Sequence, residues 1–226
     1  MKAISSEKNI DMNALCSWSG GKDSCYALIK AKEQGYTPKI LLNVLNEEGK
    51  ISRSHGIPVE ILKAQAKAAQ LPIHLIQSCW QEYEQKFTSA LQHLKTEYQL
   101  HSAVFGDIDL QAHKDWEEKV CNNAGIQAVL PLWQQDREQL VFQMLNSGIK
   151  TMIVSCNETM GDTFLGRILD ESLINELKAI DVDVCGENGE FHTLVLDCPL
   201  FSHPLNIEIA AKQKHDNYWF CQPKLL

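Results

Sequence analysis

Short apolar segments alternate with amphipathic helical patterns over the first 130 residues of the chain. The apolar segment at residues 14–18 is followed by an amphipathic pattern at residues 24–34, which ends at Gly35. Repeated alternation of this kind predicts an α/β fold with a mainly parallel sheet covered by helices on both faces. The further strands expected are residues 40–45, 73–77, 103–106 and 127–130, and the further helices are residues 58–70, 80–98 and 111–124.

The remaining residues follow a different pattern and predict a second, smaller α/β or α+β domain. Beyond Val182 the chain becomes rich in glycine and strand-like segments, with a hairpin turn expected at Asp216-Asn217. We place the boundary near residues 131–133, which gives domains at residues 1–132 and 133–226. The predicted elements of the second domain are helices at residues 136–147 and 167–179 and strands at residues 150–154, 191–196, 205–210 and 218–221.

The sequence Ser19-Gly20-Gly21-Lys22-Asp23-Ser24 lies between the first predicted strand and the first predicted helix. Consecutive glycines let backbone N–H groups converge, and a helix N-terminus adds partial positive charge, so this arrangement suits an anion. The two serines and Lys22 add donors for a phosphate, whereas Asp23 indicates a magnesium ion or a helix cap. The spacing differs from that of a Walker A loop. The alternative is a strand–turn–helix connection without a ligand.

Composition limits the classes of protein to consider. The chain has 226 residues, of which 44% are hydrophobic and 22% charged, and its formal net charge is −8. This acidic balance counts against a nucleic-acid partner. The eight cysteines form no CxxC pair, which disfavours zinc-ribbon, iron–sulfur and thioredoxin-type sites. No apolar segment is long enough to span a membrane and residues 1–9 lack the core of a secretory signal, so we expect a cytoplasmic protein without a membrane partner.

Polar residues that follow the other predicted strands are further candidates. Asp107 and Asp109 come after the fourth strand, at the same sheet edge as the glycine loop, where they could position a nucleotide, bind magnesium or cap the next helix. Arg53 and His55 follow the second strand and could contact a carboxylate or a phosphate, or be ordinary loop residues. Arg167 is expected near a helix N-terminus, where a cation is unfavourable unless an anion lies beside it.

A second glycine-rich segment, residues 185–194, precedes a predicted strand of the second domain. Gly186 and Gly189 would allow a ligand close approach to the backbone, and Glu187 and Glu190 could hold an ammonium ion, orient an amine or act as a general base. A hairpin with solvated acids is the alternative. His192 and Thr193 are expected on opposite faces of the strand, so that only one of them would face a site.

These motifs carry a resemblance to a known family. The loop at residues 19–24 resembles the PP-loop of ATP pyrophosphatases, which split ATP between the α and β phosphates. The chain also contains Leu165-Gly166-Arg167 and the run Cys185-Gly186-Glu187-Asn188-Gly189-Glu190-Phe191, which continues to Leu196-Asp197-Cys198-Pro199-Leu200-Phe201. With these segments, residues 15–201 resemble the diphthine–ammonia ligase family, and more closely its bacterial branch. The implied architecture is a HUP-like PP-loop domain, of the adenine nucleotide alpha hydrolase type, followed by a substrate-binding domain.

The resemblance also implies an activity and a set of roles. The expected reaction is adenylation of a carboxylate by ATP with Mg²⁺, followed by amidation with ammonia and release of AMP and pyrophosphate. Lys22, Glu187 and Glu190 are the expected catalytic residues, and Asp23 is the expected magnesium ligand. The residues expected to bind ATP are Ser19, Gly20, Gly21, Lys22, Asp23, Ser24, Asp107 and Arg167, and those expected to bind substrate are His55, Gly186, Glu187, Gly189, Glu190 and Thr193.

The substrate is expected to be a small-molecule or protein-borne carboxylic acid. Where family members that act on diphthine commonly have a tyrosine-rich segment, this chain has Ser52-Arg53-Ser54-His55, so the identity of the acid stays open. Ammonia is favoured over glutamine because no glutaminase domain or catalytic Cys–His arrangement is visible. A homodimer is compatible with the sequence. Two alternative functions are compatible with the sequence: a PP-loop tRNA-modifying enzyme, and a sensor that binds an adenine nucleotide without turnover.

Overall fold

The computed structural model describes residues 12–226. The expectation that residues 1–9 lack a secretory signal therefore lies outside the described residues. Within residues 12–226, no helix is both long and apolar enough to cross a membrane.

The first half of the described chain forms a five-stranded parallel sheet with the strand order β3-β2-β1-β4-β5. The first strand, β1, lies at the centre, so the loop that follows it emerges in the middle of the sheet's carboxyl edge, where ligands bind in folds of this class. The strands are β1 (Asn13–Ser17), β2 (Thr37–Leu45), β3 (Ile73–Gln77), β4 (Ser102–Val104) and β5 (Gln127–Val129), and the helices are α1 (Lys22–Glu33), α2 (Val59–Ala68), α3 (Tyr83–Tyr98) and α4 (Gln111–Ala124).

The second half forms a four-stranded antiparallel sheet with the order β7-β6-β9-β8. Its elements are α5 (Arg137–Asn146), β6 (Lys150–Asn157), a short 3₁₀ helix (Asp162–Phe164), α6 (Glu171–Ala179), β7 (Phe191–Asp197), β8 (Ile207–His215) and β9 (Tyr218–Leu225). The predicted α/β domain with a parallel sheet, followed by a smaller sheet-containing region, is confirmed. The division at residue 132 stays a prediction.

Buried side chains form two cores on opposite faces of the parallel sheet. On one face, Leu15 of β1 packs with side chains of α3 and α4 such as Leu91 and Val120. On the other face, Cys16 belongs to a larger core that includes α1 and α2 and continues into β6 and β7. The alternation of neighbouring residues between the two cores is the period of a β-strand covered on both sides. The larger core therefore joins the two sheets.

The helix predicted at residues 167–179 begins later than expected. Helix α6 starts at Glu171, and the side chain of Asp170 accepts a hydrogen bond from the N–H of Leu173 as its N-cap. Arg167 precedes the helix and bonds through its backbone carbonyl to Ile153 of β6. The prediction that Arg167 lies at a helix N-terminus is therefore wrong, and the argument for an anion beside it loses its basis.

Candidate active site

A cavity of about 710 Å³ opens at the carboxyl edge of the parallel sheet and is lined by both halves of the chain. The glycine loop after β1 and the residues after β4 form one part of its wall. The segment before β7 and the start of β7 form the facing part, with Glu187, His192 and Thr193 among the lining residues. The structure thus brings together the two glycine-rich segments that lie about 165 positions apart in the sequence, as the difference between Lys22 and Glu187 shows.

Steric contacts require glycine at two positions of the loop. Gly20 has φ +87°, a left-handed conformation that favours glycine. A Cβ atom on Gly21 would lie 2.4 Å from Cε1 of His55 and 3.1 Å from the carbonyl oxygen of Thr193. The hydroxyl of Ser19 accepts a hydrogen bond from the N–H of Gly21 at 3.2 Å and lies 3.0 Å from the hydroxyl of Ser24. The loop is therefore tightly folded and its two serine hydroxyls lie side by side at the cavity.

Lys22 connects the loop to the facing wall. Its backbone N–H donates to the hydroxyl of Thr193 at 3.0 Å. Its ammonium group donates to both carboxylate oxygens of Asp23 at 2.9 Å and to the carbonyl oxygen of Cys185. Burial opposes its charge, but the carboxylates of Asp23 and Glu187 outweigh burial and hold the pKa of Lys22 above its ordinary value. The buried lysine is therefore a permanent cation.

The glutamates of the second glycine-rich segment have different environments. Glu187 lines the cavity, and burial together with the negative charges of Asp23 and Asp107 raises its pKa to about 8. Glu190 is not among the cavity-lining residues; its carboxylate accepts hydrogen bonds from the backbone and side-chain nitrogens of Asn188 at 3.0 Å. The structure therefore brings only Glu187 of this pair to the cavity.

The glycines of the same segment shape its turn. Gly186 and Gly189 have φ +72° and +84°, and both line the cavity. A Cβ atom on Gly186 would lie 2.8 Å from the carbonyl oxygen of Phe191. The carbonyl oxygen of Gly189 accepts a hydrogen bond from the hydroxyl of Tyr218. The turn thus needs glycine and is fixed to β9.

An ion-pair network that could not be identified from the sequence fixes this segment on the side away from the cavity. Arg137 donates two hydrogen bonds of 2.7 Å to Asp109 and one of 2.5 Å to Asp183. Asp183 in turn accepts hydrogen bonds from the backbone N–H groups of Cys185 and Glu187 at 3.0 and 3.2 Å. Asp109 therefore pairs with a cation outside the cavity lining, and Arg137 fixes the backbone that carries Glu187. No local pattern could have indicated this contact, because its partners are 28 and 46 residues apart from Arg137.

Two histidines meet where the glycine loop approaches β7: His55 is buried, and His192, which belongs to β7, is half-buried. The ring centroids of His55 and His192 are 4.6 Å apart, and both line the cavity. Nδ1 of His55 donates to the carbonyl oxygen of Thr193 at 2.8 Å, which leaves its Nε2 as an acceptor. Burial lowers the pKa of His55 to about 4 and that of His192 to about 3, so both rings are neutral at pH 7. The expectation that only one of His192 and Thr193 would face the site is wrong; the pairing of β7 with β6 is irregular beside them, between Ile153 and Ser155.

Asp107 lines the cavity next to a second buried acid. Its carboxylate lies 2.6 Å from Nδ1 of His113. Although burial opposes ionisation, hydrogen bonds from His113 and Glu117 hold the pKa of Asp107 below its ordinary value. Burial and the neighbouring Asp107 raise the pKa of Glu117 to about 11, so Glu117 is protonated at neutral pH. Glu117 could not be identified as a site residue from the sequence, because it lies within an otherwise ordinary amphipathic helix.

Arg167 is not brought to the cavity. Its guanidinium group donates to both carboxylate oxygens of Glu176 at 2.6 Å, and it is absent from the cavity lining. Arg53 lies over the ring of Trp80, 4.7 Å from its centroid, and donates to the carbonyl oxygen of Ser78. A role of Arg167 in nucleotide binding stays a prediction.

Magnesium has one predicted ligand at the cavity, Asp23, whose carboxylate is paired with Lys22. Within residues 12–226, no group of three or more His, Cys, Asp or Glu side chains has the geometry to hold a metal ion. A site with one protein carboxylate is compatible with Mg²⁺ when substrate phosphates supply further oxygen ligands.

Comparison with known proteins gives consistent matches over both halves of the chain. The family model described as diphthamide synthase N-terminal domain matches residues 12–128, and the model of the diphthamide synthase C-terminal domain matches residues 136–225. Diphthine–ammonia ligase of Mus musculus is 26% identical over 87% of this chain and 83% of that protein, and the Homo sapiens protein is 27% identical over the same shares. The protein of the same name from Schizosaccharomyces pombe is 28% identical over 92% of this chain and 38% of that protein.

A solved structure from Methanocaldococcus jannaschii, titled as a predicted subunit of tRNA methyltransferase, is 17% identical. The match covers 83% of this chain and 98% of that chain, with a TM-score of 0.44.

Proposed function

Because this chain belongs to the diphthamide synthase family, we propose that it activates a carboxylate by adenylation and converts it into an amide with ammonia. Membership makes the chain an ATP-dependent ligase. The observation that carries the proposal is the meeting, in one cavity, of the glycine loop with its cationic Lys22 and the buried acid Glu187. One wall suits a polyphosphate and the facing wall suits an amine, which are two of the three reactants that an ATP-dependent amide ligase must bring together.

The residues around the glycine loop fit ATP. The cavity volume of about 710 Å³ lies within the range for nucleotide-sized ligands. We propose that the hydroxyls of Ser19 and Ser24, the backbone of Gly20 and Gly21, and the ammonium group of Lys22 hold the phosphates. A Cβ atom on Gly106 would lie 2.7 Å from the backbone nitrogen of Ser24, so glycine after β4 lets this segment pack closely against the start of α1. Asp107 lies next to Gly106 and is proposed to position the nucleotide.

Magnesium would be held by Asp23 together with phosphate oxygens. Five acids and a single lysine line the cavity: Asp23, Glu84, Asp107, Glu117, Glu187 and Lys22. Glu117 is protonated at neutral pH and the pKa of Glu187 is about 8, so the repulsion of a polyphosphate comes mainly from the other acids, and a divalent ion at Asp23 would offset it. When bound, ATP with Mg²⁺ supplies the adenylyl group that activates the carboxylate, with pyrophosphate as the leaving group.

Glu187 is the proposed proton acceptor for the incoming amine. A carboxyl group with a pKa of about 8 can hold or release a proton near neutral pH, which suits a general base. His55, Gly186, Gly189 and Thr193 are proposed to shape the substrate wall. Glu190 would support that wall through Asn188. The relatives are named for diphthine, and we propose a carboxylic acid of this general class, free or carried on a protein.

Product analysis tests this function. The full chain is incubated with ATP, MgCl₂, ammonium chloride and a small-molecule cell extract, and AMP, ADP and pyrophosphate are separated by chromatography. AMP and pyrophosphate that depend on the extract support adenylation, whereas ADP and phosphate contradict it. Binding of ATP without turnover would favour the nucleotide-sensor alternative.

Lys22→Ala should abolish AMP formation, because the buried cation at the phosphate loop is lost. Lys32→Ala is the matched control, since Lys32 lies on the same helix and is exposed. AMP formation that survives Lys22→Ala would contradict the proposed phosphate site.

A further inference from the structure

An exposed tryptophan lies at the edge of the cavity. Trp80 is 68% exposed, whereas every other Phe, Tyr and Trp side chain of residues 12–226 is buried or half-buried. It belongs to the loop at residues 78–82, between β3 and α3, and it lines the cavity. An indole that remains in water lacks the stabilisation that covering its apolar surface would provide. Trp80 is therefore a candidate contact for a bound molecule.

Arg53 fixes the indole of Trp80 from one side. The guanidinium carbon lies 4.7 Å from the ring centroid, and the side chain of Arg53 is only 9% exposed. The guanidinium group donates to the carbonyl oxygen of Ser78, in the same loop as Trp80, and lies 3.6 Å from a carboxylate oxygen of Glu47. With Arg53 on one face of the ring, the high exposure of Trp80 means that the opposite face is open. The ring is thus held in place before a ligand arrives, which reduces the entropy lost on binding.

The position of Trp80 relative to the phosphate loop matches the shape of a nucleotide. The strands β1, β2 and β3 are neighbours in the sheet, and cavity-lining residues follow each of them: Lys22 after β1, His55 after β2 and Trp80 after β3. Adjacent strands are about 4.8 Å apart, so the ends of β1 and β3 are separated by roughly 10 Å. A triphosphate on the glycine loop and a base beside Trp80 would be joined by a ribose that crosses the end of β2.

Arg53 also determines which kind of group suits the open face. Aromatic faces attract cations, but Arg53 already occupies one face of this ring and would repel a second cation on the other. A neutral planar ring can stack there without that repulsion. We propose that the open face of Trp80 is the stacking surface for the adenine base of ATP. This assignment rests on the proposed use of ATP and adds to it the place of the base.

A comparison of ATP with inorganic tripolyphosphate isolates the contribution of the base. Both ligands are titrated into the full chain by calorimetry, with MgCl₂ and without a carboxylic acid, so that no turnover takes place. Trp80→Ala should lower ATP affinity by about 5- to 150-fold, the range for the loss of one base–aromatic stack. Tripolyphosphate affinity should change less than about twofold, since Trp80 does not contact the phosphates. Trp80→Phe should retain most of the ATP affinity, because a phenyl ring can still stack on the base.

Fluorescence gives a second measurement. The difference between the emission of the unsubstituted chain and that of Trp80→Phe is the emission of Trp80. We expect ATP to quench this difference and tripolyphosphate to leave it unchanged, because only ATP brings a base onto the ring.

Gln81→Ala is the matched control for Trp80→Ala. Gln81 is the exposed neighbour in the same loop and is not among the cavity-lining residues. Its substitution should leave the affinities for ATP and tripolyphosphate equal to those of the unsubstituted chain.

Several outcomes would overturn the assignment. One is an ATP affinity unchanged by Trp80→Ala; another is an equal fall in the affinities for ATP and tripolyphosphate, which would indicate a disturbed phosphate loop. Quenching by tripolyphosphate as strong as that by ATP would also overturn it. If Trp80→Ala lowers AMP formation with the cell extract but leaves ATP affinity unchanged, the ring contacts the carboxylic acid and the assignment to the base is wrong.

The assignment and the proposed function can fail separately. A selective fall in ATP affinity in Trp80→Ala, without AMP formation by the unsubstituted chain, would overturn the proposed reaction and leave the base site in place. AMP formation together with an ATP affinity unchanged by Trp80→Ala would overturn the base site alone. An unsubstituted chain that binds neither ATP nor tripolyphosphate would overturn both.

Discussion

The two glycine-rich segments that meet at the cavity are held in different ways. The loop at residues 19–24 takes its shape from neighbours in sequence: a strand before it, a helix after it, and the contact between the hydroxyls of Ser19 and Ser24. Distant residues, Gln65, Thr193 and Val195, then fix this loop in place. The segment at residues 185–194 is positioned by residues far away in sequence, because Arg137 holds Asp183, which binds its backbone, and Lys22 donates to the carbonyl oxygen of Cys185. The shape of the phosphate loop is therefore a property of local sequence, whereas the position of Glu187 depends on the assembled fold.

Gly21→Ala is expected to have the largest effect, because it adds a side chain at the point where the two segments touch. The new Cβ would lie 2.4 Å from the ring of His55, which is buried and bonded to Thr193 and so cannot move aside cheaply. We expect a loss of about 1–3 kcal/mol in stability and a fall of about 10–100-fold in ATP affinity, measured by denaturant unfolding and nucleotide titration.

Gly161→Ala is a suitable control, since Gly161 has φ +75° but no atom within 4 Å of the added Cβ. It should show only the backbone cost of about 1 kcal/mol and unchanged ATP affinity. Equal ATP affinities for the two variants would mean that the approach of His55 does not shape the phosphate loop.

Arg137→Gln distinguishes the contributions of the two segments, because it removes the ion pairs that hold the second segment and leaves the contacts of the first segment intact. Loss of the bonds to Asp109 and Asp183 should displace Glu187 and lower AMP formation by about tenfold. ATP affinity should change less than about twofold. Steady-state kinetics and nucleotide binding measured on the same sample test the contrast.

Lys178→Gln is the matched control for Arg137→Gln, since Lys178 forms a neighbouring exposed ion pair with Glu138. A parallel fall in ATP affinity and AMP formation in Arg137→Gln would show that the two segments are not held independently.

His192→Gln should produce the smallest change, a flatter dependence of stability on pH. Burial lowers the pKa of His192 from 6.5 to about 3, so the unfolded chain binds more protons in this interval. Stability should therefore be present above pH 6.5 and be lost as pH falls towards 3, with a slope from this group of up to about 1.4 kcal/mol per pH unit.

Urea unfolding at several pH values in that interval should show a shallower slope for His192→Gln than for the unsubstituted chain. His203→Gln, at an exposed position, serves as control. An unchanged slope in His192→Gln would contradict the neutral state of His192 in the folded chain.

The contrast between the segments also explains what could be predicted from sequence. The order of elements and the parallel sheet follow from apolar periodicity, and the glycine loop follows from residues adjacent in sequence. The start of α6 was misplaced because Arg167 precedes an N-cap at Asp170 that the helical pattern alone does not locate. Arg137 and Glu117 were missed for another reason: each looks like an ordinary surface residue of an amphipathic helix until its distant partners are known.

The contacts of the glycine loop with β7 bear on how the protein is made. The carbonyl oxygen of Gly20 accepts hydrogen bonds from the N–H of Val195 and from the side chain of Gln65, which also donates to the carbonyl oxygen of Val195. During synthesis from the N-terminus, the loop leaves the ribosome more than 170 residues before Val195, the difference between the two positions in the chain. A nascent chain that ends before β7 has its parallel strands but lacks the partners that fix Gly20 and Lys22. We therefore expect a nascent chain that ends before β7 to bind ATP more weakly than one in which β7 is present.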